Sequence, residues 1–342
     1  MDRVRPERAT AEVNRAPFLE PRFCRGGGPV DYVTLGKDGP KVSEIGLGMW
    51  QAGGSAWGAD VTDEGCMAAM RRAHELGVTL IDTAEGYGAG HSEEVVGRAI
   101  KEIGRDNVVV ATKVAGSHLR EELVARACDA SLKRLGISEI DLYQIHWPDP
   151  WDQNPLRRTM RALEKLHKGG KVRHIGVSNF AVRDLEEARS ALSRIDIVED
   201  QIYWSLLHRT CEEEVVPYCR REGIAILAWS PLNQGLLTGK YLTGPKPQDD
   251  VRKGSKSFKD ANLKEIGELV AVLNEVGAKH GKTAAQVALN WLMRQPGTVL
   301  PIPGAKRAEQ AEENAGAAGW KLTAAEVRRI SGASAALKLD LF

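Results

Sequence analysis

Two ionisable side chains stand close together after a short apolar segment near residue 80. A run of apolar and β-branched residues ends in Asp82, and the glycine-rich loop that follows presents Tyr87. Ser92, Glu93 and Glu94 then have the pattern of a capped, acidic first turn of a helix. Because α/β folds place their chemistry in loops after the C-terminal ends of strands, Asp82 and Tyr87 are candidate catalytic residues. A tyrosine flanked by glycines also fits an ordinary turn.

Two further strand-like segments end in Lys113 and His146. They follow Asp82 at intervals of 31 and 33 residues (113 minus 82, 146 minus 113), and each interval is one strand–helix unit. Side chains alternate across a strand, so the three residues reach one layer if their strands are neighbours in a barrel. A lysine ammonium beside a phenol favours the phenolate, which predicts a lowered pKa for Tyr87. This set has the chemistry of a proton donor, and His146 is suited to orient a carbonyl oxygen.

Two other interpretations fit the same residues. Asp82 and Lys113 can form a structural ion pair at the barrel mouth, with His146 as a hydrogen-bonded core residue, because buried charges are costly unless they are paired. Lys113 can also act as a Schiff-base nucleophile, which would make the chain a lyase. The residues alone leave these interpretations open.

The elements that must position these residues alternate regularly along the chain. Short apolar strands separated by amphipathic helices predict an α/β fold of the (β/α)8 TIM barrel type. The predicted strands are 45–49, 78–82, 108–113, 140–146, 171–177, 197–201, 224–229 and 298–302. A doubly wound sheet is the competing fold, but Gly86-Tyr-Gly88-Ala-Gly90 lacks the spacing of a dinucleotide-binding glycine turn.

The domain organisation is predicted to be simple. Residues 1–29 are rich in Arg, Glu and Pro and show neither a strand nor a helix period, which predicts a disordered N-terminal tail. Residues 30–342 then form a single barrel domain. A β-hairpin that turns at Lys37-Asp38-Gly39-Pro40 caps it, and extra C-terminal helices, including one at 323–335, complete it.

The composition excludes several classes of partner. Lys and Arg total 47 against 46 Asp and Glu, so no net field recruits nucleic acid or an anionic membrane. No segment approaches the roughly 18 apolar residues of a membrane helix. The five cysteines are scattered and form no C-x-x-C pair, which favours a reducing compartment and no structural metal. We expect a cytoplasmic protein of undetermined oligomeric state.

Six separated motifs resemble those of the aldo-keto reductases, and they occur in the family's order. The resemblance extends from about residue 31 to residue 320 and implies NAD(P)H-dependent reduction of small aldehydes or ketones to alcohols. It further implies that Tyr87 is the general acid, that Lys113 and Asp82 tune it, and that His146 orients the substrate. The motifs are Asp82-Thr-Ala-x-x-Tyr87-Gly, Thr112-Lys113, His146, Gly176-Val-Ser178-Asn179, Ile302-Pro-Gly304, and Gln310 with Glu313 and Asn314.

The resemblance also implies a cofactor site for NADP (NADPH), with NAD as a second option. The nicotinamide carboxamide would be bound by Ser178, Asn179 and Gln201, and Trp204 would stack on its ring. The pyrophosphate would lie against the backbone of Ser230, Pro231, Leu232, Gly235 and Leu236. The adenosine end would be held by Gly304, Lys306, Arg307, Gln310, Glu313 and Asn314.

The preference for NADP rests on Lys306 and Arg307, because Gly304 stands where some branches of the family have a lysine. Cations at the start of a helix oppose its dipole, which favours an anionic ligand there over a merely solvated helix end.

Four tryptophans follow the first and fourth strands and are candidate walls of the substrate pocket: Trp50, Trp57, Trp147 and Trp151. Tryptophans also fill barrel rims for packing alone, and the sequence does not fix the substrate. A function from another class is an NADP-binding regulatory subunit with weak turnover, because the family includes channel-associated members.

Overall fold

The structure is a computed structural model that describes residues 30–149, 151 and 153–340. The predicted tail, residues 1–29, lies outside these described residues. No helix within them is long and apolar enough to cross a membrane.

Eight parallel strands form the barrel, and consecutive strands are neighbours throughout the sheet. The first and last strands also meet, because the Gly46 and Gly48 N–H groups donate to the Pro301 and Pro303 carbonyl oxygens, each at 3.0 Å. The (β/α)8 fold is therefore confirmed. The strands are β3 (Leu47–Gly48), β4 (Leu80–Asp82), β5 (Val109–Val114), β6 (Ile140–Ile145), β7 (Val172–Ser178), β8 (Ile197–Tyr203), β9 (Ala225–Trp229) and β10 (Val299–Pro301).

Helices surround the barrel and bury their apolar faces against the outside of the strands. Their ends follow local signals: the Thr62 hydroxyl oxygen accepts from the Gly65 N–H at 3.1 Å at the first helix, and Gly136 ends the third in a left-handed conformation. The helices are α1 (Asp63–Glu75), α2 (His91–Ile103), α3 (Glu121–Leu135), α4 (Leu156–Lys168), α5 (Val182–Ala191), α6 (Val215–Glu222), α7 (Lys240–Thr243), α8 (Asp260–His280), α9 (Ala284–Met293), α10 (Ala308–Ala315) and α11 (Ala324–Ala335).

The start of α2 differs from the prediction. Gly90, not Ser92, is the residue before the helix, and Ser92 lies inside its first turn. The Ser92 hydroxyl instead donates to the Met49 carbonyl oxygen at 2.7 Å. This residue ties the loop after β3 to α2, next to the loop that carries Tyr87.

The predicted hairpin is present as β1 (Tyr32–Thr34) and β2 (Lys41–Ser43), which pair antiparallel. Leu35 and Val42 from this hairpin join the apolar cluster inside the barrel, with Leu80 and Val109. The hairpin thus closes the end where the strands begin. The opposite end, where the strands finish, carries the cavity described next.

Candidate active site and cofactor cleft

A cavity of about 1330 Å³ lies at the C-terminal end of the barrel. Asp82, Tyr87 and His146 line it over the barrel axis, and the α10 residues Gln310 and Asn314 line its far end. The loops after β3, β4, β9 and β10 supply most of the remaining wall. A single elongated cleft therefore joins the predicted catalytic residues to the predicted adenosine site.

Lys113 connects the ionisable residues beneath this cavity. Its ammonium donates to Asp82 Oδ1 at 2.6 Å, to the Thr83 carbonyl oxygen at 2.9 Å and to the Tyr87 hydroxyl oxygen at 3.3 Å. Lys113 is fully buried and Asp82 is 2% exposed. Buried charges of this kind are tolerated only when their hydrogen-bonding groups are satisfied.

Two amide side chains complete the environment of Asp82. Gln144 and Gln201 donate to Asp82 Oδ2 at 3.1 and 2.9 Å, and Gln201 also donates to Gln144 Oε1 at 3.0 Å. Both carboxylate oxygens are thus engaged, Oδ1 by the lysine and Oδ2 by the amides. The arrangement fixes the position of the Lys113 ammonium, and through it the environment of Tyr87.

The predicted lowering of the Tyr87 pKa is wrong. Burial raises the pKa of Tyr87 above its ordinary value, and the nearby Lys113 charge only partly offsets this effect. The phenol therefore stays protonated at neutral pH, as a proton donor must. Burial also acts to lower the pKa of Lys113, but the Asp82 carboxylate and the Tyr87 hydroxyl outweigh it, so the net pKa is raised and the amine stays charged.

His146 lies at the edge of the Tyr87 ring, with the ring centroids 5.5 Å apart. Burial, reinforced by the Lys113 charge, lowers the pKa of His146 to about 3. The imidazole is therefore neutral near pH 7 and can share a hydrogen bond with a carbonyl oxygen without bringing a charge. The end of β6 fixes its backbone, since the His146 N–H donates to the Val114 carbonyl oxygen at 2.9 Å.

The three predicted amide-binding residues lie together on the cavity wall. The Ser178 hydroxyl donates to the Gln201 carbonyl oxygen at 2.7 Å, and Asn179 Nδ2 donates to the His146 carbonyl oxygen at 3.1 Å. Asn179 has a left-handed backbone (φ 62°), which turns its side chain back over the strand ends. The structure therefore brings Ser178, Asn179 and Gln201 together beside His146.

Trp204 does not lie on the cavity, so its predicted stacking role is wrong. Its side chain is completely buried, its indole N–H donates to Glu212 Oε1 at 2.9 Å, and its ring packs edge-on against Trp291. β8 ends at Tyr203, and the chain then turns Trp204 away from the cavity into the surrounding core. No cofactor ring can reach it without unpacking that core.

Trp229, which the sequence interpretation missed, is the flat ring on the cavity wall. It ends β9, its indole N–H donates to Asn179 Oδ1 at 3.0 Å, and its other face stacks on Tyr203 with the centroids 4.4 Å apart. The signal was available: an aromatic residue at a strand end directly precedes the Ser230-Pro-Leu segment assigned to the pyrophosphate.

Four residues of the segment after Trp229 have a left-handed backbone conformation. Ser230, Asn233, Gln234 and Gly235 all have φ between 48° and 93°. Successive residues of this kind turn backbone N–H groups toward one side, and such concavities bind anions. Ser230, Pro231, Leu232 and Gly235 line the cavity, whereas the Leu236 side chain is 1% exposed and packs in the core, so the contact of its backbone with the pyrophosphate stays a prediction.

The predicted adenosine-end residues all line the cavity: Gly304, Lys306, Arg307, Gln310, Glu313 and Asn314. The Lys306 N–H donates to Gln310 Oε1 at 2.9 Å, and its ammonium contacts Asp60 Oδ1 at 2.6 Å. A Cβ atom at Gly304 would lie 2.2 Å from the Gln51 side chain, so a longer residue there requires that Gln51 move. Asp60 was not singled out by the sequence pattern.

Three of the four predicted tryptophans line the cavity. Trp50 stacks over Tyr87 at a centroid distance of 6.0 Å, Trp57 meets Trp50 edge-on at 4.8 Å, and Trp147 stacks near His146 at 6.5 Å. Trp151 is 79% exposed and lies outside the cavity wall, so its predicted contact with the substrate is not supported. The walls next to Tyr87 are therefore largely aromatic.

A polar loop after α7 covers the middle of the cleft. Residues 245–250 and Arg252 line the cavity, and Arg252 pairs with Asp249 at 2.6 Å while its guanidinium lies over the Trp57 ring at 5.5 Å. Lys240 also lines the cavity and is exposed. Among the described residues, no group of three or more His, Cys, Asp or Glu side chains is arranged to hold a metal ion.

Comparison with known proteins agrees with this geometry. Residues 44–335 match the model of the aldo/keto reductase family. The chain is 36% identical over 314 residues to the aldo-keto reductase YhdN of Bacillus subtilis, which covers 88% of this chain and 93% of that protein. It is 34% identical over 316 residues to the NADH-specific methylglyoxal reductase of Escherichia coli, with 86% and 95% covered.

A solved structure is similar across nearly the whole barrel. The aldo/keto reductase from Klebsiella pneumoniae, crystallised with NADP and acetate, superposes with a TM-score of 0.69 at 31% identity, covering 91% of this chain and all of that one. The family match, the extent of these similarities and the (β/α)8 fold agree. The chain belongs to the aldo/keto reductase family of oxidoreductases.

Proposed function

We propose that this protein reduces small aldehydes or ketones to alcohols with NADPH or NADH, and that Tyr87 donates the proton. One observation carries the proposal: the Lys113 ammonium contacts both Asp82 Oδ1 (2.6 Å) and the Tyr87 hydroxyl oxygen (3.3 Å) at the floor of an open cavity. A charged lysine held in this way stabilises the phenolate that remains after the phenol gives up its proton.

The cleft fits an extended dinucleotide. The flat Trp229 ring and the Ser178, Asn179 and Gln201 side chains would hold the nicotinamide beside Tyr87. The segment that begins at Ser230 would bind the pyrophosphate. The cations Lys306 and Arg307, just before the start of α10, would lie at the adenosine. When bound, the nicotinamide supplies the hydride.

The side chains of the protein would donate the proton and orient the substrate carbonyl that receives it. A substrate carbonyl oxygen within reach of Tyr87 would also meet the neutral imidazole of His146, which would orient it by a hydrogen bond. Tyr87 then protonates the oxygen as negative charge develops on it. The aromatic walls from Trp50, Trp57 and Trp147 would exclude water from this reaction.

We infer the choice between NADPH and NADH from the similar proteins and from the charge at the adenosine end of the cleft. The Klebsiella structure contains NADP, whereas the E. coli relative is named as NADH-specific, so the family accommodates both. Lys306 and Arg307 give the adenosine end cationic groups that suit a 2′-phosphate. We therefore propose NADPH as the first cofactor and NADH as the second.

The lyase interpretation is less well supported. A Schiff-base nucleophile must be a neutral amine open to the substrate, but Lys113 does not line the cavity, and Asp82 and Tyr87 raise its pKa. For the regulatory subunit, no feature of the described residues favours a docking role over turnover.

The test is a nucleotide titration followed by a turnover assay. Tryptophan fluorescence should be quenched by NADPH and by NADH, because Trp229 and three other tryptophans line the cleft. Small aldehydes and ketones should then consume the reduced nucleotide. Failure to bind either nucleotide would overturn the proposal, and borohydride trapping of a carbonyl on Lys113 would support the lyase instead.

A further inference from the structure

A carboxylate that the sequence pattern did not single out lies beside the two cations at the adenosine end of the cleft. Asp60 follows Trp57 in the loop before α1 and lines the cavity with Lys306 and Arg307. Its Oδ1 is 2.6 Å from the Lys306 ammonium, and its Oδ2 is 4.0 Å from the Arg307 guanidinium. The loop has room for the carboxylate because residue 58 is a glycine: a Cβ atom there would lie 2.7 Å from Asp60 Oδ1.

Asp60 occupies the donor groups that an incoming anion would use. The Lys306 ammonium donates to Asp60 and, at 3.3 Å, to the Trp57 carbonyl oxygen, and the lysine side chain is only 15% exposed. Asp60 is 60% exposed, so its side chain can turn away into solvent. A phosphate can therefore reach Lys306 only by displacing this carboxylate or by binding beside it.

Asp60 reduces the positive charge that a phosphate would meet at this end of the cleft. Lys306 and Arg307 carry two positive charges, and Asp60 cancels one of them. Lys240 and Glu313 also line this end of the cleft, and their charges oppose each other. A dianionic 2′-phosphate thus meets a net single positive charge with Asp60 present, but two positive charges without it.

We propose that Asp60 is the residue that limits the preference for NADPH over NADH. The inference rests on the proposed nucleotide site. The Asp60 carboxylate competes with the 2′-phosphate for Lys306, and with a nucleotide that has a 2′-hydroxyl instead, it can accept a hydrogen bond from that hydroxyl. In the opposite role, Asp60 would hold Lys306 in place for the phosphate. Removing the Asp60 charge would then weaken NADP⁺ binding, whereas competition predicts that it tightens.

The experiment measures dissociation constants for NADP⁺ and NAD⁺ by fluorescence titration, so that no turnover is involved. Asp60→Asn keeps the size of the side chain and removes its charge. We expect it to tighten NADP⁺ binding by roughly three- to tenfold, as removal of one repulsive charge near a dianion requires, while NAD⁺ binding stays level or weakens. Asp60→Ser should shift the ratio in the same direction.

Asp129→Asn is the matched control. It breaks another exposed Asp–Lys pair, with Lys171, on α3 and away from the cleft, and it should leave both dissociation constants unchanged. Weaker NADP⁺ binding in Asp60→Asn, or an unchanged ratio of the two constants, would overturn this inference but leave the proposed reductase intact. A wild-type protein that binds neither nucleotide would instead overturn the reductase proposal.

Discussion

Two aspartate–lysine pairs, one beneath the floor of the cleft and one at its adenosine end, have the same oxygen–nitrogen distance but very different exposure to water. Asp82–Lys113 and Asp60–Lys306 both measure 2.6 Å between oxygen and nitrogen. The first pair is 2% and 0% exposed, and the second is 60% and 15% exposed. Burial, not distance, decides what each pair does: charges withdrawn from water are held tightly by one another, whereas exposed charges exchange partners at little cost.

The difference follows from the elements that carry the pairs. Asp82 and Lys113 lie on the adjacent strands β4 and β5, whose hydrogen bonds fix them in register. Asp60 lies on a loop, and Lys306 lies at the turn before α10. The barrel strands thus hold the buried pair that contacts Tyr87, and loops hold the exposed pair assigned to nucleotide selection.

We expect the largest effect, a loss of stability, from a variant that breaks the buried Asp82–Lys113 pair. Lys113→Met leaves the Asp82 carboxylate buried without its cation, and we expect a loss of about 3–5 kcal/mol in the free energy of unfolding. Lys306→Met should lose less than about 1 kcal/mol, because its partner is exposed. Urea unfolding measures both. Equal losses in the two variants would contradict the comparison.

The second prediction distinguishes the role of Trp229 in the cleft from that of Trp204 in the core. Trp229→Leu should weaken nucleotide binding by about tenfold or more, because it removes the stacking surface, with a small effect on stability. Trp204→Leu should leave the dissociation constant unchanged and lose about 2–4 kcal/mol of stability, because it empties part of the core. A loss of nucleotide affinity confined to the Trp204 variant would restore the original assignment.

The third prediction concerns pH. The folded protein holds the pKa of His146 at about 3, below the 6.5 of an unperturbed ring, so between these values only the unfolded chain binds the proton. The contribution of His146 to stability is therefore complete above pH 6.5 and falls as the pH drops. Between pH 6.5 and pH 5 the wild type should lose about 1.7 kcal/mol more than His146→Gln, because the slope rises from half of about 1.4 kcal/mol per pH unit at pH 6.5 to nearly that full value at pH 5.

Unfolding titrations of the two proteins at matched ionic strength measure that difference. Parallel pH dependences would mean that the pKa of His146 is the same in the folded protein as in the unfolded chain.

The smallest expected effect concerns the exposed pair. Asp60→Asn should change the free energy of unfolding by less than about 1 kcal/mol, even though it alters the ratio of nucleotide affinities. Thermal unfolding without nucleotide measures this. A large loss of stability would show that Asp60 belongs to the structural framework and not to an exchangeable pair.

Regular elements made much of the site predictable from the sequence. Asp82, Lys113 and His146 follow a repeat of one strand–helix unit, and strand alternation places them in one layer. Trp204 was assigned from the family resemblance, but it follows Tyr203, where β8 ends and the chain turns the indole into the core. The pKa of Tyr87 was predicted with the wrong sign, because its direction depends on burial, which the local sequence does not specify.

Asp60 illustrates a second limit. It lies in an irregular loop, and its partner Lys306 is 246 residues further along the chain. No periodicity links two such positions, and an aspartate before a helix has ordinary uses in capping. Only the folded arrangement brings the two together.

The central claim, that Tyr87 is the proton donor, is tested most directly by Tyr87→Phe. Carbonyl reduction at saturating nucleotide should fall by about 10² to 10⁴, the range expected for loss of a general acid, while the dissociation constant for NADPH stays level. Tyr143→Phe is the matched control: this buried tyrosine on β6 has no hydrogen-bond partner for its hydroxyl among the described residues and lies off the cleft, so its rate should not change. Wild-type turnover in Tyr87→Phe would contradict the account and assign the proton to another group.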